Sequence, residues 1–383
     1  MTPDFLALRR RFPLLARRTY LNSGSYGALA DTVHAAIEAY LEERLVSGAN
    51  WDLWVAKNES VRARLARLFD VSSTELAITA SASAGINALA SAIEFHGPRD
   101  TVVLSDLEFP TQAQIWHAQE HRGARVVHAH CAADGNIPLA QFERLIDART
   151  RLVALTHVCY RNGVRLDIPA IVRLAHERGA QVLLDTYQAA GALAIDPAAL
   201  GVDFMVGGLM KYLLGTAGIG FLYVREALVP QLVPTHSGWM AQQDVAAMDI
   251  TANRPAMNAR RFEAGTPPVV NCYAAEAGLE LILEVGSVHI ERRIRDLTRS
   301  CMERLAAIGW SAVTPLDDAR RGPMVAIPSR HAGDLCARLL DDGIVTSPRD
   351  NNVRASFHFY NSEEDVERLV TALARYRRSH LPT

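Results

Sequence analysis

The order of apolar and polar positions divides the chain into alternating strand and helix signals. Residues 1–18 intersperse apolar residues with charges and predict a short amphipathic arm. Residues 19–27 run from a short strand into a small polar loop, Asn22-Ser23-Gly24-Ser25-Tyr26-Gly27. Such a loop either lets backbone approach a ligand or simply turns the chain. Residues 32–68 carry apolar side chains three and four apart and predict one long helical stretch. A strand signal at 75–79 meets the small run Ala80-Ser81-Ala82-Ser83-Ala84-Gly85, which opens an apolar helix to about residue 93. Strands are predicted at 101–104, 125–129, 152–156, 181–185, 202–206 and 218–224, with helices after residue 111 and over 170–178. Two long helices follow, 273–284 and 288–308. Short strands at 324–328 and 353–357 then alternate with helices at 331–342 and 362–377.

This alternation implies an α/β protein with a mostly parallel central sheet, helices on both of its faces, and a small C-terminal α+β domain. The expected division is an arm over 1–18, a large domain over 19–270 and a small domain over 271–383. In parallel sheets ligands sit beyond the carboxyl ends of the strands. The serine run, Phe109, Asp185 and the segment before Lys211 all follow strand ends, so they can converge.

Composition narrows the class. With 49% hydrophobic and 21% charged residues the chain reads as a globular protein. A formal net charge of -2 excludes the basic footprint of a nucleic-acid or anionic-membrane binder. The five cysteines are scattered, odd in number and form no CxxC pair, which points to a reducing compartment and away from a zinc ribbon; no metal site is expected. Residues 1–16 alternate charge with apolar residues instead of building the apolar core of a secretory leader, and no run is long enough to span a bilayer. A cytoplasmic location is the expectation.

Three segments carry candidate chemistry. Gly207-Gly208-Leu209-Met210-Lys211-Tyr212-Leu213-Leu214-Gly215 sets one lysine among glycines and apolar residues after a buried strand. A lysine there is either a surface-turn residue or a desolvated amine with a lowered pKa, able to act as a nucleophile. Asp185-Thr186-Tyr187-Gln188 ends a buried strand in a carboxylate, which either caps the next helix or needs a cationic or N–H partner. Ser81-Ala82-Ser83 at a helix N-terminus is a serine cap or a phosphate seat. It lacks the glycines and the lysine of nucleotide-binding loops, which disfavours an NTPase or a nicotinamide dehydrogenase.

Together with Arg261-Phe262-Glu263-Ala264-Gly265-Thr266-Pro267, these segments resemble the class V branch of the fold-type I pyridoxal-phosphate enzymes, from Tyr20 to about Leu369. The branch includes cysteine desulfurases, selenocysteine lyases, isopenicillin-N-epimerase-like proteins and kynureninases. The resemblance implies pyridoxal 5'-phosphate as cofactor, held as an aldimine by Lys211, which also moves protons at the substrate. It implies that Asp185 pairs with the pyridine nitrogen and that Gln188 faces the phenolic oxygen. Ser81, the Ala82 N–H and Ser83 would seat the phosphate. Thr266 and Trp239 would reach it from the second subunit of a homodimer. Phe109 would stack on the cofactor ring. Arg354, with Asn22, would bind the substrate, the arginine clamping its α-carboxylate through a two-pronged fork.

Phe109-Pro110-Thr111 and Thr156-His157-Val158-Cys159-Tyr160-Arg161-Asn162-Gly163 are most similar to kynureninases. The chain departs from that pattern at Met210, where kynureninases have tyrosine, and at Gln188, where they have histidine. Desulfurases have histidine at the Met210 position and a cysteine on a loop before the carboxylate arginine. The corresponding loop here, 345–352, is short and has no cysteine, and Cys336 falls in a predicted helix. The expected activity is a lyase or hydrolase reaction on an amino acid or amino-acid derivative, with an aminotransferase or epimerase as the alternative.

Overall fold

The computed structural model describes residues 3–132 and 134–382. Met1 and Thr2, at the start of the expected arm, lie outside the described residues. In chain order the strands are β1 (Thr19–Tyr20), β2 (Leu76–Thr79), β3 (Thr101–Ser105), β4 (Arg125–Ala129), β5 (Thr150–Thr156), β6 (Gln181–Asp185) and β7 (Phe204–Gly208). They continue with β8 (Gly220–Val224), β9 (Met324–Pro328), β10 (Ile344–Val345), β11 (Ser347–Arg349) and β12 (Asn352–Ser356).

Seven strands form the central sheet in the order β2-β8-β7-β6-β5-β3-β4. β3 to β7 pair in parallel, while β8 runs against both β7 and β2. The expectation of a mostly parallel sheet holds, with β8 as its one reversed strand. β2, β3, β5, β6, β7 and β8 are apolar and almost wholly buried, as a sheet covered on both faces requires. Apolar clusters fill both sides: Ile86, Leu89, Trp116 and Phe262 belong to one, and Leu155, Ile171 and Val182 to another.

A second, three-stranded antiparallel sheet has the order β11-β12-β9, and β1 pairs in parallel with β10. Ser356 N–H donates to Leu21 O at 2.8 Å, so the polar loop after β1 is tied to β12.

Two expectations are corrected. The single helical stretch over 32–68 is two helices, Asp31–Ser47 and Trp51–Phe69, because Asn50 caps the second by accepting from Leu53 N–H at 3.2 Å. The segment 345–352 is not a free loop. β11 and β12 make a hairpin through Asp350 and Asn351, both with left-handed backbone (φ 47° and 58°), the conformation that tight hairpin turns demand.

Candidate active site

Because β2, β3, β5, β6 and β7 point the same way, the segments leaving them meet at one edge of the sheet. There they enclose a cavity of about 230 Å³. Ser81, Ala82 and Ser83 contribute from β2, Phe109 and Thr111 from β3, and Thr156, Val158 and Tyr160 from β5. Asp185, Tyr187 and Gln188 follow β6, and Met210 and Lys211 follow β7. Seven of the sequence-derived candidates thus share one cavity wall: Ser81, Ala82, Ser83, Phe109, Asp185, Gln188 and Lys211.

Lys211 sits on the segment that leaves β7 and returns as β8. Gly27 N–H donates to Met210 O at 2.9 Å, and a Cβ on Gly27 would lie 2.3 Å from Lys211 O. Only glycine lets the loop after β1 close on the lysine segment. Protein packed around the amine pulls the Lys211 pKa down to about 8; the Asp185 carboxylate opposes this shift and Arg354 adds to it. Lys211 is therefore no ordinary surface-turn lysine.

Asp185 ends β6 nearly buried, and Oδ1 accepts Tyr187 N–H at 2.8 Å. It forms no ion pair among the described residues. Burial pushes its pKa up, against the pull of that N–H and of Lys211. Gln188 is buried, and its amide nitrogen donates to Gly24 O at 2.9 Å while Oε1 has no partner among the described residues. A buried carboxylate with no ion pair and an amide oxygen with no donor among the described residues are open to a group that supplies N–H.

Ser81 caps the helix Ala82–Ala92, its Oγ accepting Ala84 N–H at 3.1 Å. Ser83 Oγ lies 3.1 Å from Thr111 Oγ1, so a hydroxyl pair faces the positive end of this helix. Phe109 is exposed on the cavity wall and meets Tyr160 edge-on, with ring centroids 5.0 Å apart.

Four candidates stand apart from the wall. Arg354, on β12, lies behind Tyr160 and donates to its carbonyl at 2.7 Å. Asn22 is half-buried, bridges by backbone to Ser356, and keeps a buried Oδ1 without a partner among the described residues. Trp239 packs edge-on against Trp51 at 6.0 Å, and Thr266 is exposed. The charged residues of the Arg261–Thr266 motif hold the scaffold. Arg261 donates to the carbonyls of Ala256, Val229 and Leu232. Glu263 pairs with Arg62 at 2.7 Å and accepts Ile78 N–H at 2.8 Å, beside β2.

Residues 28–369 match the family described as Aminotransferase class-V. The chain belongs to the class V aminotransferase family. It is accordingly a pyridoxal-phosphate-dependent enzyme. Among curated relatives it is 34% identical to the uncharacterized aminotransferase YcbU of Bacillus subtilis, over 96% of both chains. It is 33% identical to the kynureninase of Deinococcus radiodurans, over 96% of this chain and 92% of that one. A cysteine desulfurase of Thermococcus onnurineus superposes with a TM-score of 0.88 at 24% identity, covering 99% of this chain and 98% of its own; it attests the fold.

The class V cofactor fits this cavity. The uncompensated Asp185, the hydroxyl-lined helix end, the exposed Phe109 ring and the Lys211 amine are the groups an acidic phosphate and a protonated pyridine require. Met210, noted from sequence as a departure from both family patterns, lines the same wall, and Thr111, Thr156, Val158, Tyr160 and Tyr187 line it without having been singled out. All five lie within the segments Phe109–Thr111, Thr156–Gly163 and Asp185–Gln188, but residues leaving a strand carry no periodicity that tells which side chains face inward.

Proposed function

We propose that this class V enzyme acts on a small amino acid or amino-acid derivative by a lyase or hydrolase reaction. The observation carrying the reading is the shared wall of Lys211 and Asp185. The cofactor, when bound, supplies an electron-withdrawing ring that accommodates electrons from a broken bond at the substrate's α-carbon. Lys211 would attach it covalently through Nζ, and Ser81, the Ala82 N–H and Ser83 would hold its phosphate. Asp185 would favour a proton on its ring nitrogen, Gln188 would contact its phenolic oxygen, and Phe109 would cover the ring. Burial lowers the pKa of the free Lys211 amine to about 8, which would suit it to accept and return a proton at the substrate's α-carbon. Arg354, with Asn22 nearby, would take the substrate carboxylate.

The lyase or hydrolase side is supported by the kynureninase relative and by the Phe109 and Tyr160 segments. The relative named an aminotransferase supports transamination as the second reading. A persulfide-forming desulfurase is disfavoured by the thiols themselves. Cys336 is buried in the helix Ala332–Asp341, and the hairpin that carries Arg354 has no cysteine. Burial raises the pKa of all five thiols, Cys131 to about 11 and Cys272 and Cys301 to about 12, which suppresses the reactive thiolate. Screening amino acids for release of keto acid, alanine or sulfide tests the assignment. Turnover is expected to persist in Cys336→Ala and in Cys159→Ala. Abolished turnover in a folded Cys336→Ala protein would restore the desulfurase reading.

The same reading includes a homodimer, in the cytoplasm, in which Trp239 and Thr266 complete the neighbour's phosphate site. Among the described residues no helix is long and apolar enough to cross a membrane. Twofold dimers are the commonest closed assembly. Sedimentation of the cofactor-loaded protein is expected to give a dimer; a monomer with stoichiometric cofactor would contradict this arrangement.

A further inference from the structure

Tyr187 stands between Asp185 and Gln188, and the chemistry above gives it no task. Its side chain is half-buried on the cavity wall. Lys211 Nζ lies 4.5 Å from the centroid of its ring. The hydroxyl end of the ring also rests on Gly208, the last residue of β7. A Cβ at Gly208 would fall 2.2 Å from the ring Cζ and 2.3 Å from the phenol oxygen. Any larger residue there would evict the ring. The Tyr187 backbone is anchored by its N–H to Asp185 Oδ1 at 2.8 Å. Three separate contacts thus fix an aromatic face beneath the one lysine of the cavity.

A cation over an aromatic face is attracted by the ring quadrupole, most strongly where water is scarce. The charged groups that act on the amine are Asp185 from β6, which favours the ammonium, and Arg354 from β12, which disfavours it. Tyr26 acts on Tyr187 and, like Asp185 and burial, keeps its phenol protonated, with a pKa pushed up to about 12. The ring therefore meets Lys211 as a neutral aromatic surface.

We propose that Tyr187 is a positioning residue whose ring face holds the Lys211 ammonium inside the cavity, with Gly208 as the seat that places the ring. The proposal rests on Lys211 being the cofactor-bearing amine. The ring stabilises the protonated amine and keeps Nζ beside Asp185 before cofactor attachment. A space-filling tyrosine would behave differently. Its removal would admit water, which relieves desolvation and raises the lysine pKa. Removal of a cation-holding ring lowers it.

The test measures the pH dependence of Lys211 modification by trinitrobenzenesulfonate in the full-length protein freed of cofactor, with the Lys211 peptide quantified by mass. Tyr187→Phe keeps the ring and is expected to keep the midpoint. Tyr187→Leu is expected to lower it, giving roughly two- to thirtyfold more reactive amine at pH values below the wild-type midpoint. Gly208→Ala displaces the ring while retaining both side chains and is expected to shift the midpoint the same way. It carries the test alone if Tyr187→Leu fails to fold, and Tyr187→Met does so if Gly208→Ala also fails. An unchanged or raised midpoint in the folded variants, or a Tyr187→Phe protein that behaves like Tyr187→Leu, overturns the proposal. Borohydride reduction of the loaded wild type separates the two levels. Cofactor fixed to another lysine defeats the functional reading, whereas cofactor on Lys211 with unshifted midpoints defeats only the role of Tyr187.

Discussion

Lys211→Ala is expected to abolish covalent cofactor attachment and to lower turnover roughly a thousandfold or more, since Lys211 is proposed as both the attachment point and the proton carrier. The fold should survive. Lys211 makes no ion pair among the described residues, and its amine sits where burial disfavours charge. The pH dependence of stability gives an independent signature. Folding lowers the Lys211 pKa from 10.5 to about 8. Between those values the unfolded chain binds a proton that the folded chain does not, so cofactor-free wild type gains stability as pH rises through this window. Lys211→Ala lacks that gain. Chemical denaturation of both proteins at pH 7.5 and pH 10 measures the difference; parallel pH profiles would show that the amine is not desolvated.

Arg354→Lys is expected to reduce kcat/KM roughly tenfold to a hundredfold while leaving cofactor occupancy unchanged. Nη1 of Arg354 donates to Tyr160 O at 2.7 Å, and Nη2 donates to Ser347 Oγ at 2.8 Å and to Ser25 Oγ at 3.2 Å. These bonds hold the guanidinium plane. Nε is buried without a partner among the described residues, and no carboxylate neutralises the charge. Burial and the nearby Arg349 both weigh against the cation, so an incoming carboxylate would supply the missing counter-charge. A lysine offers one point charge and cannot keep these contacts while presenting a fork. Loss of one charge-assisted bond costs about 1.5–3 kcal/mol, which gives the expected factor. Steady-state kinetics with an amino acid active in the screen, and the visible cofactor band of the same preparation, check both halves. Loss of the band would place Arg354 at the cofactor rather than at the substrate.

Much of this site was legible in the sequence because its parts follow buried strands. β3, β6 and β7 are short apolar runs, and such runs mark strands whichever neighbour they pair with. For the same reason the direction of β8 was not legible, since Gly220–Val224 reads alike in either orientation. Lys211, Asp185 and the Ser81 turn stood out as polar residues at strand ends. Tyr187 did not, because its task depends on Gly208 across the β6–β7 edge, a contact that spacing cannot reveal. The 345–352 hairpin had a readable signal in Asp350-Asn351, a residue pair suited to left-handed turn positions. The helix break at residues 48–50 also had a readable signal, Gly48 closing the first helix and Asn50 capping the second, which the apolar spacing continuing on either side outweighed.

The central claim is that Lys211 carries the cofactor, and borohydride reduction of the loaded enzyme followed by peptide mapping tests it most directly. The claim predicts loss of the long-wavelength absorption band, with the reduced cofactor mass on the peptide containing Lys211 and on no other. Label on a different lysine, or a loaded protein whose band survives reduction, would contradict it.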